Sequence, residues 1–287
     1  MASNPTACAR TDSVASGWPA RLDLDYGFTG DKTVLRRQSR KGPLFVQKPF
    51  YPEGSGTCHT YVLHPPGGVV GGDVLELHVS MGTLSHAVIT TPAAGKFYRS
   101  AGPEAIQINQ FSVAAGAALE WLPQETIIYN DARVRTRTTV FLEKGAEFIG
   151  WEMICLGLPA CKQPFSDGRF DQRFEIWRGK TPLLVEPLRI TCPDSMMTAP
   201  WGLAGQPVSG TLAATTDRPD LLESLQRCAA GQPGPDLFSS TQIQALTVCR
   251  YSGQDVYAGL KFFRQAWQIL RPEVTGRKAC PPRIWAT

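Results

Sequence analysis

Strict alternation of apolar and polar residues recurs through the first two thirds of this chain. It is clearest in four segments, Ala20–Tyr26, Val74–Met81, Arg133–Leu142 and Phe170–Trp177. A period of two residues is typical of a β-strand with one buried face. Turn-rich segments separate these strands, and many short strands between turns predict a mainly β architecture. The sequence has no repeat of fixed length, so the residues alone predict neither a propeller nor a regular solenoid.

The last third of the chain has a different pattern. Apolar residues recur there at helical spacing and predict two helices, one over about 217–231 and a stronger one over about 254–270. Asp217 is the expected N-cap of the first helix, with Pro219 in its first turn, and Pro272 is expected to end the second. The 27 glycines and 23 prolines argue against a mostly helical bundle, because both residues break helices.

These patterns predict a single domain preceded by a short extension. Residues 1–16 are expected to be a flexible N-terminal extension, and residues 17–287 to form the domain. Within it, the β body covers about 17–193 and the helix-containing part covers about 194–287. Hydrophobic residues make up 43% of the chain, which is enough for a sizeable core at this length.

Charge and cysteine content exclude several classes of protein. The net charge of +4 and the pI near 8.6 are mild, whereas nucleic-acid-binding domains usually exceed a pI of about 9, so no nucleic-acid partner is expected. Residues 1–16 lack an apolar run of signal-peptide length, and no apolar stretch is long enough to span a membrane, so no membrane association is expected. The eight cysteines form no C-x-x-C pair, which is typical of thiols in a reducing compartment and predicts a cytoplasmic location.

The common catalytic motifs are absent from the sequence. There is no G-x-x-x-x-G-K-[ST] phosphate loop, no G-x-G-x-x-G after a strand, no H-E-x-x-H and no G-x-S-x-G. Cys58, His59 and His64 could ligate nickel or zinc, although their spacing matches no standard zinc site. A hydrolase or oxidoreductase that uses Cys58 or His59 is a minor alternative, and the sequence favours a protein that is not an enzyme.

Several carboxylates fall in stretches that should be buried. Alternation places Glu120, Glu152 and Glu186 among apolar residues of predicted strands, and Asp73 follows two Gly-Gly pairs. A buried carboxylate is costly unless it is paired or lines a wet cavity. One interpretation is therefore a set of buried salt bridges, and the other is a water-filled path in which these acids hold a divalent cation weakly. The candidate salt-bridge partners are Arg99, Arg189, Arg264 and Lys96.

Six short segments carry motifs that recur together in one known family. They are Gly42–Pro52, Leu63–Asp73, Lys96–Ser100, Glu120–Gln124, Leu183–Glu186 and Pro282–Trp285. In these segments the chain resembles the urease accessory protein family UreD, also called UreH. The resemblance runs from about residue 17 to the end of the chain, in order and without large gaps.

The resemblance implies a fold, a function and partners. Family members are mainly β, with many short strands in a stacked, helix-like body, and here about two α-helices are expected in the C-terminal third. They are not enzymes. They bind apo-urease and connect it to the accessory protein UreF and, through UreF, to the GTPase UreG, which brings nickel. No cofactor is expected to bind stably, and Ni²⁺ is expected as transient cargo.

The resemblance also implies an internal tunnel that conducts nickel. Its acidic positions correspond to Asp73, Glu152 and Glu186, and burial adds Glu120 as a fourth candidate for a transient Ni²⁺ contact. Some relatives have aspartate at the position of Glu152. The stretch Leu156–Pro159 lacks an Arg that often follows its glycine in the family, so a tunnel acid that relies on this Arg would need another partner here.

The sequence thus predicts a non-enzymatic chaperone and scaffold for nickel insertion into apo-urease. The alternative is a purely structural adaptor that opens the urease active site without conducting metal. In that case the acids are salt-bridge partners, and replacing them reduces folding or binding.

Overall fold

The computed structural model describes residues 17–286, which form eighteen β-strands and two α-helices. The strands are β1 (Pro19–Phe28), β2 (Thr33–Lys41), β3 (Phe45–Val46), β4 (Cys58–Leu63), β5 (Val74–Met81), β6 (His86–Thr90), β7 (Gly95–Phe97), β8 (Ala105–Val113), β9 (Ala118–Leu122), β10 (Thr126–Ile128), β11 (Ala132–Leu142), β12 (Glu147–Leu158), β13 (Gln163–Pro164), β14 (Gly168–Arg178), β15 (Thr181–Cys192), β16 (Val208–Ala214), β17 (Leu237–Ile243) and β18 (Leu246–Gly253). The helices are α1 (Pro219–Ala230) and α2 (Val256–Thr275).

The strands form two sheets that enclose the main core. The smaller sheet has seven strands in the order β15-β14-β11-β8-β5-β1-β2, and the larger has eleven, with the main order β17-β18-β16-β12-β9-β6-β4-β3. From β4 to β12 the chain passes repeatedly between the sheets, and strands of successive coils pair in parallel, as β5 does with β8 and β6 with β9. The mainly β, stacked body expected from the resemblance is confirmed.

This stack is solenoid-like although the sequence has no fixed period. Its coils differ in length, since β5 has eight residues, β6 has five and β12 has twelve. Stacking of parallel strands requires only that each inward face be apolar, and it does not require coils of equal length. The regular spacing that would reveal a solenoid in the sequence is therefore missing.

The four segments with strict alternation are β1, β5, β11 and β14, and all lie in the smaller sheet. This sheet has one face on the core and one face toward solvent, which is the arrangement that produces alternation. The central strands of the larger sheet are different. Every residue of β6 and β9 is buried, so these strands have no alternating pattern.

A second apolar layer covers the outer face of the larger sheet. Helix α2 packs there on β12, with the rings of Trp151 and Phe263 centred 6.2 Å apart. The C-terminal segment docks on the same layer. The ring of Trp285 lies 5.8 Å from that of Trp151 and 5.6 Å from that of Trp267.

Helix α2 is longer than predicted. Asp255 caps its first turn by accepting a hydrogen bond from the backbone amide two residues later, at 2.9 Å. The prediction that Pro272 ends the helix is wrong, because the helix continues to Thr275 and Gly276 ends it in the left-handed conformation with φ of 67°. A proline in the last turn costs one backbone hydrogen bond, and packing of the preceding Arg271, described below, holds this turn in place.

The C-terminal third also extends the larger sheet. Strand β16 precedes α1, and the β17–β18 hairpin that follows this helix was not predicted. Its two-residue turn contains no glycine or proline, and Gln244 adopts the positive φ of 52°, so the usual turn signal is missing. Helix α1 begins at Pro219 as predicted, with Arg218 rather than Asp217 at its N-cap. Neither helix of the described residues combines the length and apolar character needed to cross a membrane.

Candidate functional site

A cavity of about 240 Å³ lies between the two sheets. Inward-facing residues of β5 and β8 line one wall, and residues of β9 and β12 line the other. The loops 64–69 and 91–96 border its open side, where Gly67 and Gly95 are exposed. Among the described residues that line it, Glu152 is the only acid.

Hydrogen-bonded polar side chains continue from this cavity across the space between the sheets. Asn109 Nδ2 donates to Thr138 Oγ1 at 2.9 Å, and Thr138 in turn donates to Glu152 Oε1. Gln172 Nε2 donates to Glu152 Oε2 at 2.6 Å. We refer to Asn109, Thr138, Gln172 and Glu152 as the polar row. It arises because three inward positions of β8, β11 and β14 carry polar rather than apolar residues.

Glu186 lies next to the polar row. It is opposite Phe174 on β14, which is itself opposite Thr138 on β11, so all three occupy one transverse line of the smaller sheet. Glu186 Oε1 accepts a hydrogen bond from Arg250 Nε at 3.0 Å. Its Oε2 is buried and has no hydrogen-bond partner within residues 17–286. The second oxygen is therefore available to another ligand.

Glu152 has no cationic partner among the described residues. Burial raises the pKa of this carboxyl group, the hydrogen bonds from Thr138 and Gln172 offset part of the rise, and the negative charge of Glu186 adds to it. Two acids that repel each other in a low-dielectric space create a site where a positive charge would be stabilised. The hydrogen-bond donors to Glu152 within residues 17–286, Thr138 and Gln172, are both neutral.

Asp73 has a different local role. Its Oδ1 accepts a hydrogen bond from the Trp18 amide at 2.8 Å, and its Oδ2 accepts one from the Val70 amide at 3.0 Å. Oδ2 therefore holds the end of the loop that borders the cavity, and Oδ1 ties the segment before β1 to it. His64 lines the cavity in this loop; burial lowers its pKa, and the charge of Asp73 acts in the opposite direction. Replacing Asp73 would disturb the loop as well as remove a charge.

Glu120 lies on the opposite face of the larger sheet, facing α2. Its carboxylate is fully buried and hydrogen-bonded to His86 Nε2 at 2.7 Å, Trp267 Nε1 at 2.5 Å and Arg271 Nε at 2.9 Å. Burial would raise the pKa of Glu120, but the hydrogen bond of His86 and the charges of His86 and Arg271 hold it below its usual value. The structure does not bring Glu120 together with the polar row.

The guanidinium of Arg271 connects Glu120 to a second carboxylate. Its Nη2 donates to Glu53 Oε1 at 2.7 Å, and the same oxygen lies 2.6 Å from His59 Nε2. Burial opposes ionisation of Glu53, yet the hydrogen bonds from His59 and Arg271 lower its pKa to about 2. We refer to Glu53, His59, His86, Glu120 and Arg271 as the ion-pair cluster. Of the two interpretations that the sequence left open for the buried acids, the geometry of Glu120 matches the salt bridge. Its partner is Arg271, which was not among the predicted partners.

Cys58 and His59 do not form a reactive pair. They are neighbours on β4 and therefore project to opposite faces of the sheet. Burial raises the pKa of the Cys58 thiol, whereas the thiolate is the nucleophilic form. Across residues 17–286 no three His, Cys, Asp or Glu side chains converge in a metal-binding group.

Comparison with known proteins decides the family. A profile of the UreD urease accessory protein family matches residues 19–286. The chain belongs to the UreD family. The urease accessory protein UreD of Alkalilimnicola ehrlichii is 43% identical over 274 residues, which cover 96% of this chain and 93% of that protein. Urease accessory protein UreD 2 of Brucella anthropi is 39% identical and UreD of Nostoc is 38% identical, and each is matched along 100% of its own length. The resemblance seen in the sequence is confirmed.

Several residues that define this UreD-family site were missed in the sequence. Asn109, Thr138 and Gln172 stand at inward positions of alternating strands, where a polar residue is itself a signal. Arg271 lies four residues after Trp267 and so shares the buried face of α2. Arg250, the partner of Glu186, lies in a strand that was not predicted.

Proposed function

We propose that this UreD-family chain is a non-catalytic scaffold in urease maturation and that Ni²⁺ passes through it along the cavity and the polar row. Family membership supports the role in urease maturation. The passage of nickel is supported by one observation above all. Glu152 is a carboxylate deep between two sheets that faces a cavity, and it forms no ion pair within residues 17–286, although Lys96 also lines the cavity.

Among residues 17–286 no ion pair gives the charge of Glu152 a structural role. Both of its oxygens accept hydrogen bonds from neutral donors, and burial works against its charge. A passing divalent cation would compensate that charge, which gives the ionised form a function. The unpartnered Oε2 of Glu186 supplies a second anionic oxygen next to it.

The cavity is large enough for a hydrated ion. A water molecule takes roughly 30 Å³ of liquid volume, so a space of about 240 Å³ holds a divalent cation with several water molecules. Its lining includes His64 near the open side and Asn109 and Glu152 farther in. Imidazole suits nickel, and carboxylate and amide oxygens hold it less tightly, so an ion entering past His64 would meet progressively weaker ligands.

The partners follow from the same proposal. Relatives of 38–43% identity are named urease accessory proteins, and apo-urease is the receiving protein we propose. UreF would be bound directly, and the GTPase UreG would be held through UreF and would supply the nickel. Asp73 would contribute by holding the loop at the cavity entrance.

A structural adaptor is the second candidate, and two observations favour it. Glu186 is already paired with Arg250, and both oxygens of Asp73 are used by backbone amides. In this alternative the chain opens urease without conducting metal. The two candidates differ in what Glu152 does, since the adaptor needs no charge there.

Co-purification tests the maturation role itself. Urease produced together with this chain, UreF and UreG is expected to retain the chain in a complex and to contain close to its full complement of nickel. Urease produced with UreF and UreG but without the chain is expected to be mostly free of nickel. Metal analysis of the two urease preparations checks this, and equal nickel contents would contradict a role in maturation.

A further inference from the structure

The outer face of the smaller sheet carries a dense group of arginines. Strands β11, β14 and β15 present them on one side, opposite the core. The group consists of Arg133, Arg135, Arg137, Arg169, Arg173 and Arg189, and we refer to it as the arginine face. In register, Arg133 is beside Arg169 and Arg137 is beside Arg173 on the neighbouring strand. Like charges directly opposite each other are destabilising, so folding alone does not favour this arrangement.

Acidic neighbours compensate the arginine face only in part. Arg135 pairs with Glu104 at 2.8 Å, Arg189 pairs with Asp171 at 3.3 Å, and Arg173 pairs with Glu175. Arg133 donates to the carbonyl of Gly102 at 3.1 Å. Within residues 17–286, Arg137 and Arg169 form no ion pair. The face therefore has more cations than anions.

Apolar side chains lie between and beside these arginines. Ile106 is opposite Arg135 and Ile108 is opposite Arg137 on β8, and both are partly exposed. Phe141 and Val185 are each 42% exposed on the same side of the sheet. Arginine and apolar groups together are typical of protein interfaces. A site for nucleic-acid phosphates would not be expected to include Glu104, Asp171 and Glu175, which repel phosphate.

We propose that the arginine face binds an acidic surface of another protein. A second copy of this chain does not fit, because pairing the face with itself would oppose arginine to arginine. An acidic patch provides carboxylates for Arg137 and Arg169, while Ile106 and Ile108 give it apolar contact. The choice of the binding partners tested below rests on the function proposed above, which makes apo-urease, UreF and UreG the candidate proteins.

The test compares two charge-reversed variants. Arg137→Glu/Arg169→Glu alters the face, and Arg37→Glu/Lys41→Glu makes the same change of charge on the exposed edge strand β2. Binding of the full chain to purified apo-urease, UreF and UreG is measured separately, at ionic strengths from about 0.1 M to about 1 M, where the screening length falls from about 10 Å to about 3 Å. A third variant, Arg137→Gln/Arg169→Gln, removes the two charges without reversing them. A thermal unfolding curve of each variant shows whether it is folded.

The wild type is expected to bind apo-urease and UreF, and its affinity for one of them is expected to fall as salt rises. The face variant should bind that protein at least about tenfold more weakly, the glutamine variant should be intermediate, and the β2 variant should match the wild type. Equal binding by the face variant and the wild type would overturn this inference and leave the maturation role standing. If the wild type binds none of the three proteins, both this inference and the proposed maturation role fail. Binding of each variant to a duplex oligonucleotide is measured as well. Its loss in the face variant but not in the β2 variant would assign the face to nucleic acid instead.

Discussion

Arg271→Met is expected to lower the free energy of unfolding by about 3–5 kcal/mol, the cost of leaving a buried charge uncompensated. The Arg271 side chain is fully buried, and its guanidinium contacts the carboxylates of both Glu120 and Glu53. Glu120 is itself fully buried. Methionine fills a similar volume but gives neither carboxylate a cation, and the hydrogen bonds with His59, His86 and Trp267 are all that remain of the cluster's side-chain contacts to them. Urea unfolding monitored by tryptophan fluorescence measures the change.

Lys261→Met is the matched control for this variant. It removes a cation from the same helix with the same substitution, at an exposed position with no ion pair in the described part of the chain. The control is expected to unfold at nearly the wild-type urea concentration. A loss below about 1 kcal/mol in Arg271→Met, the range of surface pairs, would show that the ion-pair cluster does not hold α2 to the sheet.

The pH dependence of the cluster has a defined sign. The pKa of Glu53 falls from its ordinary value of 4.5 to about 2, and that of Glu120 is also lowered. A carboxyl group with a lowered pKa stabilises the fold above its ordinary pKa, and this stabilisation is lost as the pH falls through the folded value. The stability difference between the wild type and Arg271→Met should therefore narrow as the pH falls from 4.5 toward 2.

Glu152→Gln is expected to have the opposite effect and to raise the free energy of unfolding at neutral pH by about 1 kcal/mol. The change removes a desolvated charge, and the amide oxygen still accepts one hydrogen bond. Because burial raises the pKa of Glu152, its ionisation disfavours the fold as the pH rises through that pKa. The gain in free energy of unfolding in Glu152→Gln should therefore increase as the pH rises above the ordinary pKa range of carboxyl groups.

Denaturant unfolding at several pH values between about 4 and 8 checks this, with Glu76→Gln as the control. Glu76 lies on the outward face of β5, and its replacement should change stability little at any pH. A clear loss of stability in Glu152→Gln at neutral pH would show that the ionised carboxylate is needed by the fold. The structural adaptor would then be the better explanation of this residue.

Local patterns in the sequence predicted the elements that face both core and solvent. Strands β1, β5, β11 and β14 and both helices were found because each has one apolar face. Strand β6 was not predicted, since both of its faces are buried, and the β17–β18 turn lacks the usual glycine. The stacking of coils depends on contacts between distant segments, and only the family resemblance pointed to it.

The acids show a similar limit. Glu120 is buried as its neighbours in the sequence predicted, whereas Glu152 is half-buried beside the cavity and the Glu186 side chain is 30% exposed. The partners of these acids could not be predicted. Glu120 and Glu152 both occupy the strands of the larger sheet, yet they project to opposite faces of it. Arg271 and Arg250 lie far from these acids in sequence, so only the tertiary structure shows which acid is neutralised and which is left without a cation.

The nickel content of urease matured with Glu152→Gln/Glu186→Gln tests the proposed path most directly. A control variant, Glu76→Gln/Glu223→Gln, removes two charges outside the core, at the half-buried Glu76 and the exposed Glu223. Both variants are first shown to fold and to co-purify with urease in wild-type amounts, and nickel is then measured per urease active site. Passage along the polar row predicts that the first variant remains bound while urease nickel falls about tenfold, the scale of a lost metal contact, and that the control gives full nickel. Fully nickel-loaded urease from the Glu152→Gln/Glu186→Gln variant would contradict passage of Ni²⁺ through this chain.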